Sequence, residues 1–369
     1  MKVGILTFPN STSYGATLQM YALYRTVKKL GHDAEIINYH NAYMKAEKHH
    51  EAHGAGTCKR QLKQLVRRVL HARHYSVFKK FERENMLLHP VAAVTDKASL
   101  REISMRYDAV ICGSDQVWNP DITDTDLSYF LDFCGEGTRR ISYAPSFGID
   151  AFSEEFGNIV RPELRKFYAL SVREKVGCDY VAELTGRKPT LVTDPTLLVG
   201  LEEWRTIETK KNREDPYILY YTVRGSKTLL ESCKSLADET GLKIVIVGGN
   251  FIGKLKNRDP RIEYVVDISP SEWLGLVHHA EYVVTNSFHG TAFSIIYRKD
   301  FYLELSSLTN SRLSQIIEML GLEDRIVRNG EQIRPSVVEY ATAEAKLQQI
   351  CGESLKFLKN ALGEDKQNG

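Results

Sequence analysis

Several features that would assign the chain to a specialised class of protein are missing from its sequence. No apolar run approaches the roughly 18 residues that a membrane-spanning helix requires. The cysteines form neither a C-x-x-C pair nor a zinc-binding spacing, and they stand at positions 58, 112, 134, 178, 233 and 351. We therefore expect reduced thiols and neither a disulfide framework nor a zinc module. Since Met1 leads directly into the strand-like segment KVGILTF, we also expect no signal peptide and a cytoplasmic protein.

Charge is nearly balanced overall, at +2, but it is unevenly distributed. Residues 45–83 contain eleven Lys or Arg and three acids, and six of the eleven histidines fall within residues 49–89. Apolar residues recur at helical spacing between residues 58 and 88, with basic residues among them. This pattern predicts a surface helix with a solvated basic face. The alternative is a patch for anionic lipid head groups or for a pyrophosphate-bearing acceptor, at the inner face of the membrane.

The run HHEAH at positions 49–53 is the sequence's most obvious candidate for metal binding. A polar loop is the better interpretation, since the surrounding residues show no periodicity. The sequence therefore predicts no metal site.

At 369 residues the chain is long enough for two domains. Strand-like and helical patterns alternate in two series, separated by the charged segment 201–216. This alternation predicts two Rossmann-like α/β domains, residues 1–200 and 201–335, whose strand-end loops face a cleft. We expect a C-terminal helix over residues 336–362 to pack back on the first domain.

The first β–α–β unit has a loop rich in hydroxyl groups after its opening strand. The pattern predicts a strand at 2–8, a helix at 15–30 and a second strand at 34–39. Because Gly15 is the only glycine in this loop and its flanks, the spacing is not that of a dinucleotide-binding turn. We therefore expect no nicotinamide cofactor.

Polar side chains and a tryptophan follow the strand predicted at 107–112. The segment is GSDQVWNP, and its candidate site residues are Asp115, Gln116, Trp118 and Asn119. Trp118 offers a flat face of the kind that stacks on a sugar, and the others offer hydrogen-bonding groups. The alternative is structural, with Asp115 as a cap and Trp118 as core packing.

Arg173 comes just after the strand predicted at 167–172. A guanidinium at a strand end is well placed for bidentate contact with phosphate or carboxylate. The alternative is an ion pair with Glu174 or another neighbour. Asp194, which precedes a proline, is interpreted as a turn initiator.

The segment VVTNSFHGTAFSIIYR, residues 283–298, predicts a strand, a turn and a helix. The strand ends at Val284, the turn covers residues 286–290, and the helix opens at Thr291. The first N–H groups of a helix have no partner within it and carry partial positive charge, so this end favours an anion. Candidate anion contacts are Ser287, His289, Gly290 and Thr291. The alternative for His289 is a purely structural role.

Six pieces occur together in one order, namely KVGILTF…YGATLQMYAL, VICGSDQVWNP, ISYAPSFG, LSVREK, VTDPTLL and VVTNSFHGTAFSI. In this combination, which spans about residues 2–305, the chain resembles the polysaccharide pyruvyl transferase family. The resemblance implies a GT-B-like fold of two Rossmann-like domains. It also implies transfer of pyruvate from phosphoenolpyruvate to a sugar of a cell-surface polysaccharide or its lipid-linked precursor, as a ketal, with release of phosphate. It further implies that Arg173 and His289 contact phosphoenolpyruvate.

On this basis His289, Asp115 and Arg173 are the catalytic candidates. We expect His289 to act as an acid or phosphate donor and Asp115 as a base or acceptor ligand. No cofactor and no nucleic-acid partner are expected. The rival hypotheses are a nucleotide-sugar-dependent glycosyltransferase, which would use residues 248–250 and 287–291, and a non-catalytic carbohydrate-binding relative.

Overall fold

The computed structural model describes residues 1–41, 58–210, 213–223, 225–248, 259–305, 310–328 and 330–363, with the backbone alone at 58–71 and 310–311. The chain divides into two compact units. Unit 1 comprises Met1–Leu198 with Ile350–Gly369, and unit 2 comprises Val199–Gln349. Among the described residues, no helix combines the length and the apolar composition that crossing a bilayer demands. The HHEAH run and most of the loop at 248–250 lie outside the described residues.

Unit 1 is built on a five-stranded parallel sheet of order β3-β2-β1-β4-β5. A short parallel pair, β6 and β7, continues beyond β5 through a bridge between Ile141 and Ala169. The strands are β1 (Lys2–Leu6), β2 (Asp33–Tyr39), β3 (Leu88–Val94), β4 (Ala109–Cys112), β5 (Arg139–Ser142), β6 (Ser171–Val172) and β7 (Thr190–Leu191). The central strands β1 and β4 are almost entirely buried, as expected for a parallel sheet covered on both faces.

The helices of unit 1 are α1 (Tyr14–Lys29), α2 (Cys58–Asn85), α3 (Lys97–Ser104), α4 (Pro120–Thr123), α5 (Glu154–Leu164) and α6 (Lys175–Thr185). The basic segment is thus helical. Its C-terminal half packs on α1, where Phe78 lies 5.0 Å from Tyr14 and Phe81 lies 6.1 Å from Tyr21, ring centre to ring centre. Most of the side chains proposed for lipid contact fall at 58–71, whose side chains are outside the described set.

Unit 2 is built on a six-stranded parallel sheet of order β10-β9-β8-β11-β12-β13. Its strands are β8 (Tyr217–Tyr221), β9 (Lys243–Val247), β10 (Ile262–Val265), β11 (Tyr282–Thr285), β12 (Asp300–Glu304) and β13 (Ile326–Val327). Its helices are α7 (Leu201–Ile207), α8 (Lys227–Thr240), α9 (Pro270–His279), α10 (Phe288–Ile296), α11 (Asn310–Leu320) and the first part of α12 (Tyr340–Leu362).

In unit 2, local sequence patterns indicate the correct structure where only adjacent residues determine it, and an incorrect one where contacts with distant residues determine it. The start of α9 is set by adjacent residues, because Ser269 is its N-cap in a capping box with Glu272, and Pro270 follows at the first helical position. The interpretation of 201–216 as a linker is wrong for its first half, which is α7. Trp204 of α7 is fully buried, with its ring 4.8 Å from that of Phe293.

In both sheets the order in which strands are added reverses beside the first strand, between β1 and β4 in unit 1 and between β8 and β11 in unit 2. At such a topological switch point the following helices lie on opposite faces of the sheet. The carboxyl ends of the two strands then border a crevice in which α/β proteins bind ligands. The segments 113–116 and 286–290 follow β4 and β11 directly, so the fold places predicted site residues at both switch points.

Candidate functional site

The helix after β11 begins earlier than the sequence predicts. Ser287 has an extended backbone and is the N-cap of α10, with its Oγ accepting a hydrogen bond from Gly290 N at 3.3 Å. The helix therefore opens at Phe288 rather than at Thr291, and His289 lies in its first turn. The prediction was wrong because the asparagine and glycine in NSFHG are typical turn residues, whereas here Ser287 supplies the cap.

A threonine hydroxyl joins the ends of β8 and β11. Thr285 Oγ1 donates to Tyr221 O at 2.6 Å and accepts from Ser287 N at 3.0 Å. Gly290 packs directly on this joint, where a Cβ atom would overlap the hydroxyl oxygen and lie 3.2 Å from Tyr221 Cδ1. The close approach, rather than a turn conformation, explains why glycine stands here. It also fixes the position of the first turn of α10.

The predicted anion contacts differ in how far they are buried. Ser287 and Gly290 are buried and Thr291 is fully buried, whereas His289 is half-buried and meets the Phe288 ring edge-on at 5.2 Å. The Ser287 hydroxyl is engaged in capping. Of the predicted set, His289 therefore offers an ionisable side chain that is not fully buried, although its Nε2 atom is buried, at the positively polarised end of a helix.

In unit 1, a buried polar network fixes the segment after β4. Ser114 N donates to Gln19 Oε1 at 3.1 Å, and Thr7 Oγ1 donates to Ser114 O at 3.0 Å. Gln19 Nε2 donates in turn to Thr7 Oγ1 at 3.0 Å. Gly113 adopts a positive φ of 125°, and a Cβ atom there would overlap the carbonyl oxygen of Tyr143. The network ties the carboxyl ends of β1 and β4 to α1.

Asp115 and Gln116 emerge from this network as half-buried residues. Asp115 has a left-handed backbone, with φ of 74°, and its carboxylate accepts from Gln116 N at 2.8 Å. Gln116 Oε1 accepts from Asn119 Nδ2 at 3.0 Å. Asn119 is itself buried and caps α4 by accepting from Asp121 N at 3.0 Å. The three predicted polar residues are thus neighbours, and Asn119 also has a structural task.

Trp118 lies in the aromatic core of unit 1 rather than at its surface. Its side chain is fully buried and stacks on Phe130, with ring centres 5.1 Å apart. Its Nε1 donates to Tyr129 O at 2.9 Å. Because no face of the indole reaches solvent, the alternative of core packing describes Trp118, and the expected stacking on a sugar does not fit this structure.

Arg173 is buried in an ion pair that the sequence did not reveal. Its Nη1 lies 2.5 Å from Asp194 Oδ2, and both residues are almost completely buried. Asp194 Oδ1 accepts from the backbone and the side chain of Thr196, at 3.0 and 2.8 Å. Burial by itself would lower the pKa of Arg173, but the nearby carboxylates of Asp194, Asp115 and Glu174 outweigh it and raise the pKa.

Glu174 is therefore not the hydrogen-bonded ion-pair partner of Arg173. Its Oε1 accepts from Ser146 Oγ at 2.9 Å and from Phe147 N at 2.7 Å, and so holds the turn of the ISYAPSFG segment. Asp194 is the functional candidate that sequence reasoning missed. Its position before Pro195 explained it locally as a turn residue, and the contact with Arg173 depends on the tertiary fold.

One group of side chains with metal-binding chemistry was also missed. Glu208, His278 and His279 of unit 2 bring one potential ligand atom each to within 4.8 Å of one another. The two histidines are adjacent in the sequence, but their carboxylate partner is 70 residues away from His278 and could not be identified from the sequence. These residues lie at the amino end of β11, away from His289.

Comparisons with known proteins agree with the fold and specify a family. A sequence model described as polysaccharide pyruvyl transferase matches residues 14–303, from the start of α1 into β12. No curated protein matches the chain significantly.

Solved structures similar to the chain include several sugar-nucleotide epimerases. The UDP-GlcNAc 2-epimerase of Methanocaldococcus jannaschii, in complex with UDP-GlcNAc and UDP, has a TM-score of 0.56 and 14% identity over 99% of this chain and 100% of that one. The UDP-GlcNAc 2-epimerase of Neisseria meningitidis, bound to UDP-GlcNAc, has a TM-score of 0.54 and 10% identity over 99% and 100%. A putative UDP-N-acetylglucosamine 2-epimerase of Listeria monocytogenes has a TM-score of 0.52 and 10% identity over 99% and 90%.

At such low identity these likenesses concern the fold alone, and they confirm the predicted GT-B-like fold of two Rossmann-like domains. The family model is more specific, because it matches most of the chain, including the segments that carry Asp115, Arg173 and His289. The chain therefore belongs to the polysaccharide pyruvyl transferase family, a family of transferases.

Proposed function

We propose that the protein transfers the pyruvate group of phosphoenolpyruvate to a sugar of a cell-surface polysaccharide or its lipid-linked precursor, forming a ketal and releasing phosphate. Family membership supports the class of reaction. The observation that carries the proposal is the position of His289, half-buried in the first turn of α10 at the switch point of unit 2. A polarised helix end with an imidazole suits a small anionic donor.

The reaction requires two proton transfers and one departing group. The donor's methylene carbon gains a proton and becomes a methyl group, while two sugar hydroxyls form bonds to the adjacent carbon. The bond from that carbon to the phosphate oxygen breaks, and the phosphate leaves with its electron pair. Of the two protons lost by the hydroxyls, one balances the methyl group and the other balances the released hydrogen phosphate. An acid and a base are therefore needed.

We assign the acid to His289, which acts either on the methylene carbon or on the leaving phosphate. Ser287, Gly290 and Thr291 support it by building the helix end: their own backbone N–H groups bond to Thr285 Oγ1, Ser287 Oγ and Ser287 O, so they fix the polarised terminus rather than contact the donor. Arg173 is the second proposed donor contact. Since Asp194 already neutralises much of its charge, we assign the larger share of donor binding to His289 and the α10 terminus.

We assign acceptor binding to the carboxyl edge of unit 1. Asp115 is the proposed base or hydroxyl ligand, and its carboxylate and the Gln116 amide are the least buried of the polar candidates there. Asn119 acts on the acceptor through Gln116, to which it is hydrogen-bonded. Trp118 supports this edge from the core.

The test is a donor and acceptor screen with the full chain. The protein is incubated with phosphoenolpyruvate and a panel of lipid-linked and nucleotide-linked sugars. Release of inorganic phosphate is measured, and the products are identified by mass spectrometry. We expect acceptor-dependent phosphate release and a ketal product. His289→Ala should slow turnover by about 10²–10⁴-fold, the usual contribution of a positioned acid. His89→Ala, at a half-buried histidine in β3 of unit 1, is the control and should leave the rate unchanged.

Other outcomes would select a different function. Two of the similar epimerase structures contain bound UDP-GlcNAc, so thermal protection by a nucleotide sugar, without protection by phosphoenolpyruvate, would favour a glycosyltransferase. Binding of glycans without phosphate release from any donor would indicate a non-catalytic relative. Ordinary turnover by a folded His289→Ala variant would remove His289 from the mechanism.

A further inference from the structure

Two histidines and a carboxylate meet where α7 and α9 end. His278 and His279 are the last two residues of α9, and Glu208 directly follows α7. His278 Nδ1 lies 2.7 Å from Glu208 Oε1, and the two imidazole rings are stacked with their centres 4.5 Å apart. All three residues are half-buried, and their potential ligand atoms lie within 4.8 Å of one another.

The cluster lies at the opposite edge of the sheet from the candidate donor site. β11 begins at Tyr282, shortly after His279, and ends at Thr285, shortly before His289. A parallel strand runs from one edge of its sheet to the other, so the two groups are separated by the length of β11. The proposed pyruvyl transfer requires nothing from Glu208, His278 or His279, and their arrangement calls for a separate explanation.

The spacing of the donor atoms is close to that of a zinc site. Zinc bonds to imidazole nitrogen and carboxylate oxygen are about 2.0–2.2 Å long, which places tetrahedral ligand atoms about 3.3–3.6 Å apart. His278 Nδ1 and Glu208 Oε1, at 2.7 Å, would separate by less than about 1 Å to admit an ion. The His279 ligand atom, within 4.8 Å of the other two, would move closer by up to about 1.5 Å.

The surroundings of the carboxylate also favour a cation. Glu208 Oε2 is buried, and the buried Tyr297 hydroxyl is its hydrogen-bonding neighbour. A carboxylate has further acceptor capacity beyond one hydroxyl contact, which a metal ion would use. Tyr297 completes this environment, since its ring stacks on His278 with centres 4.7 Å apart. Burial and the Glu208 carboxylate raise the pKa of Tyr297, so its hydroxyl stays neutral.

Two positive charges, those of Lys299 and Arg205, oppose cation binding at this place. Lys299 Nζ donates to His278 O at 2.9 Å. Glu281 and Asp300 interact electrostatically with Lys299 and offset part of its charge. Together with the Glu208 carboxylate they leave the neighbourhood with more negative than positive groups. The two positive charges should therefore weaken binding without preventing it.

We propose that Glu208, His278 and His279 bind a divalent transition metal ion of the zinc type, with water at the remaining position. Imidazole and carboxylate are ligands that suit zinc, and three protein ligands leave one position open. The ion would fasten α7, the first helix of unit 2, to the end of α9.

The histidines at 49, 50 and 53 could also bind metal, so the test uses a background in which all three are replaced by alanine. The full chain is freed of metal with a chelator and titrated with Co²⁺ while the visible absorption of four-coordinate cobalt is followed. Thermal unfolding is then compared with and without Zn²⁺. We expect the cobalt absorption and a higher melting temperature with zinc.

Glu208→Gln and His279→Ala are the informative variants in this background. Each removes one ligand, and each should weaken binding at least about tenfold, since even residues outside the ligand set contribute that much. Glu208→Gln keeps an acceptor for His278, so it should fold even if His279→Ala does not. His89→Ala, in unit 1, is the matched control and should bind normally. Absence of a cobalt signal in the background, or undiminished binding by folded Glu208→Gln, would overturn the proposal in favour of a metal-free ion pair.

Discussion

Gly290→Ala is the substitution whose effect follows most directly from the geometry of the candidate donor site. The added Cβ atom would overlap Thr285 Oγ1 and would lie 3.1 Å from Thr285 Cβ and 3.2 Å from Tyr221 Cδ1. Gly290 has ordinary helical geometry, and in a helix alanine is normally more stable than glycine by about 0.8–1 kcal/mol. Any loss of stability must therefore come from crowding.

The size of this loss can be worked from the contacts of the threonine. Thr285 is fully buried, and its hydroxyl makes hydrogen bonds to Tyr221 O at 2.6 Å and from Ser287 N at 3.0 Å. Moving the hydroxyl would weaken both bonds, each worth about 0.5–1.5 kcal/mol. Overpacking adds about 1–3 kcal/mol. After the gain in helix propensity, we expect the variant to be less stable by about 3 kcal/mol.

Urea unfolding followed by circular dichroism and tryptophan fluorescence measures this difference. Unit 2 contains two fully buried tryptophans, Trp204 and Trp273, so its unfolding is directly visible. The control is Gly352→Ala in α12, where an added Cβ meets nothing within 4 Å, and we expect that variant to be slightly more stable. The crowding argument also predicts that Gly290→Ala costs less in a Thr285→Ala background. An unchanged unfolding midpoint, or the same cost in both backgrounds, would refute it.

Two further predictions concern buried charges in unit 1. Asp194→Asn should destabilise the protein by about 3–5 kcal/mol in thermal unfolding, because it leaves the buried Arg173 without its charged partner. Replacing Arg173 and Asp194 together with apolar residues should cost less than the sum of the single changes, and strict additivity would contradict the pairing. Burial raises the pKa of Glu35, but hydrogen bonds from Lys2 and Tyr107 outweigh it and lower the pKa below 4.5. The stabilisation by the Glu35 carboxylate is therefore present above pH 4.5 and is lost as the pH falls through the lowered pKa. Glu35→Gln should be less stable than the native chain at neutral pH and nearly as stable in acid. A difference between the two urea midpoints that does not change with pH would contradict this prediction.

The α/β architecture of two units, each with a parallel sheet, was predictable from the sequence because its signals are local and repeated. Buried parallel strands are continuous apolar runs, and helix starts such as Ser269–Pro270 depend on residues that are adjacent in the chain. Strand ends followed by polar segments were also visible, since parallel strands place all such segments at one edge. For this reason Asp115 and His289 were correctly expected just beyond β4 and β11.

Features that depend on distant residues could not be predicted in the same way. Trp118 follows a strand end, and its burial is decided by aromatic rings contributed from positions 130, 147 and 167. In the sequence Gly290 has the pattern of a turn glycine, but in the structure its close contact with Thr285 is what requires glycine. Arg173 meets a carboxylate 21 residues away, which no spacing rule anticipates.

The two switch points share a design that explains which predicted residues remain for chemistry. In each unit a threonine hydroxyl joins adjacent strand ends, Thr7 at β1 and Thr285 at β11. A joint of this kind leaves the following residues little freedom, so a side chain beyond it is held in a fixed position. The buried candidates, such as Thr291, then serve as the frame, while half-buried Asp115 and His289 are left at the edge. Substitutions of the buried frame residues should therefore reduce the stability of the fold more than the intrinsic activity. Substitutions of Asp115 or His289 should reduce the activity more than the stability.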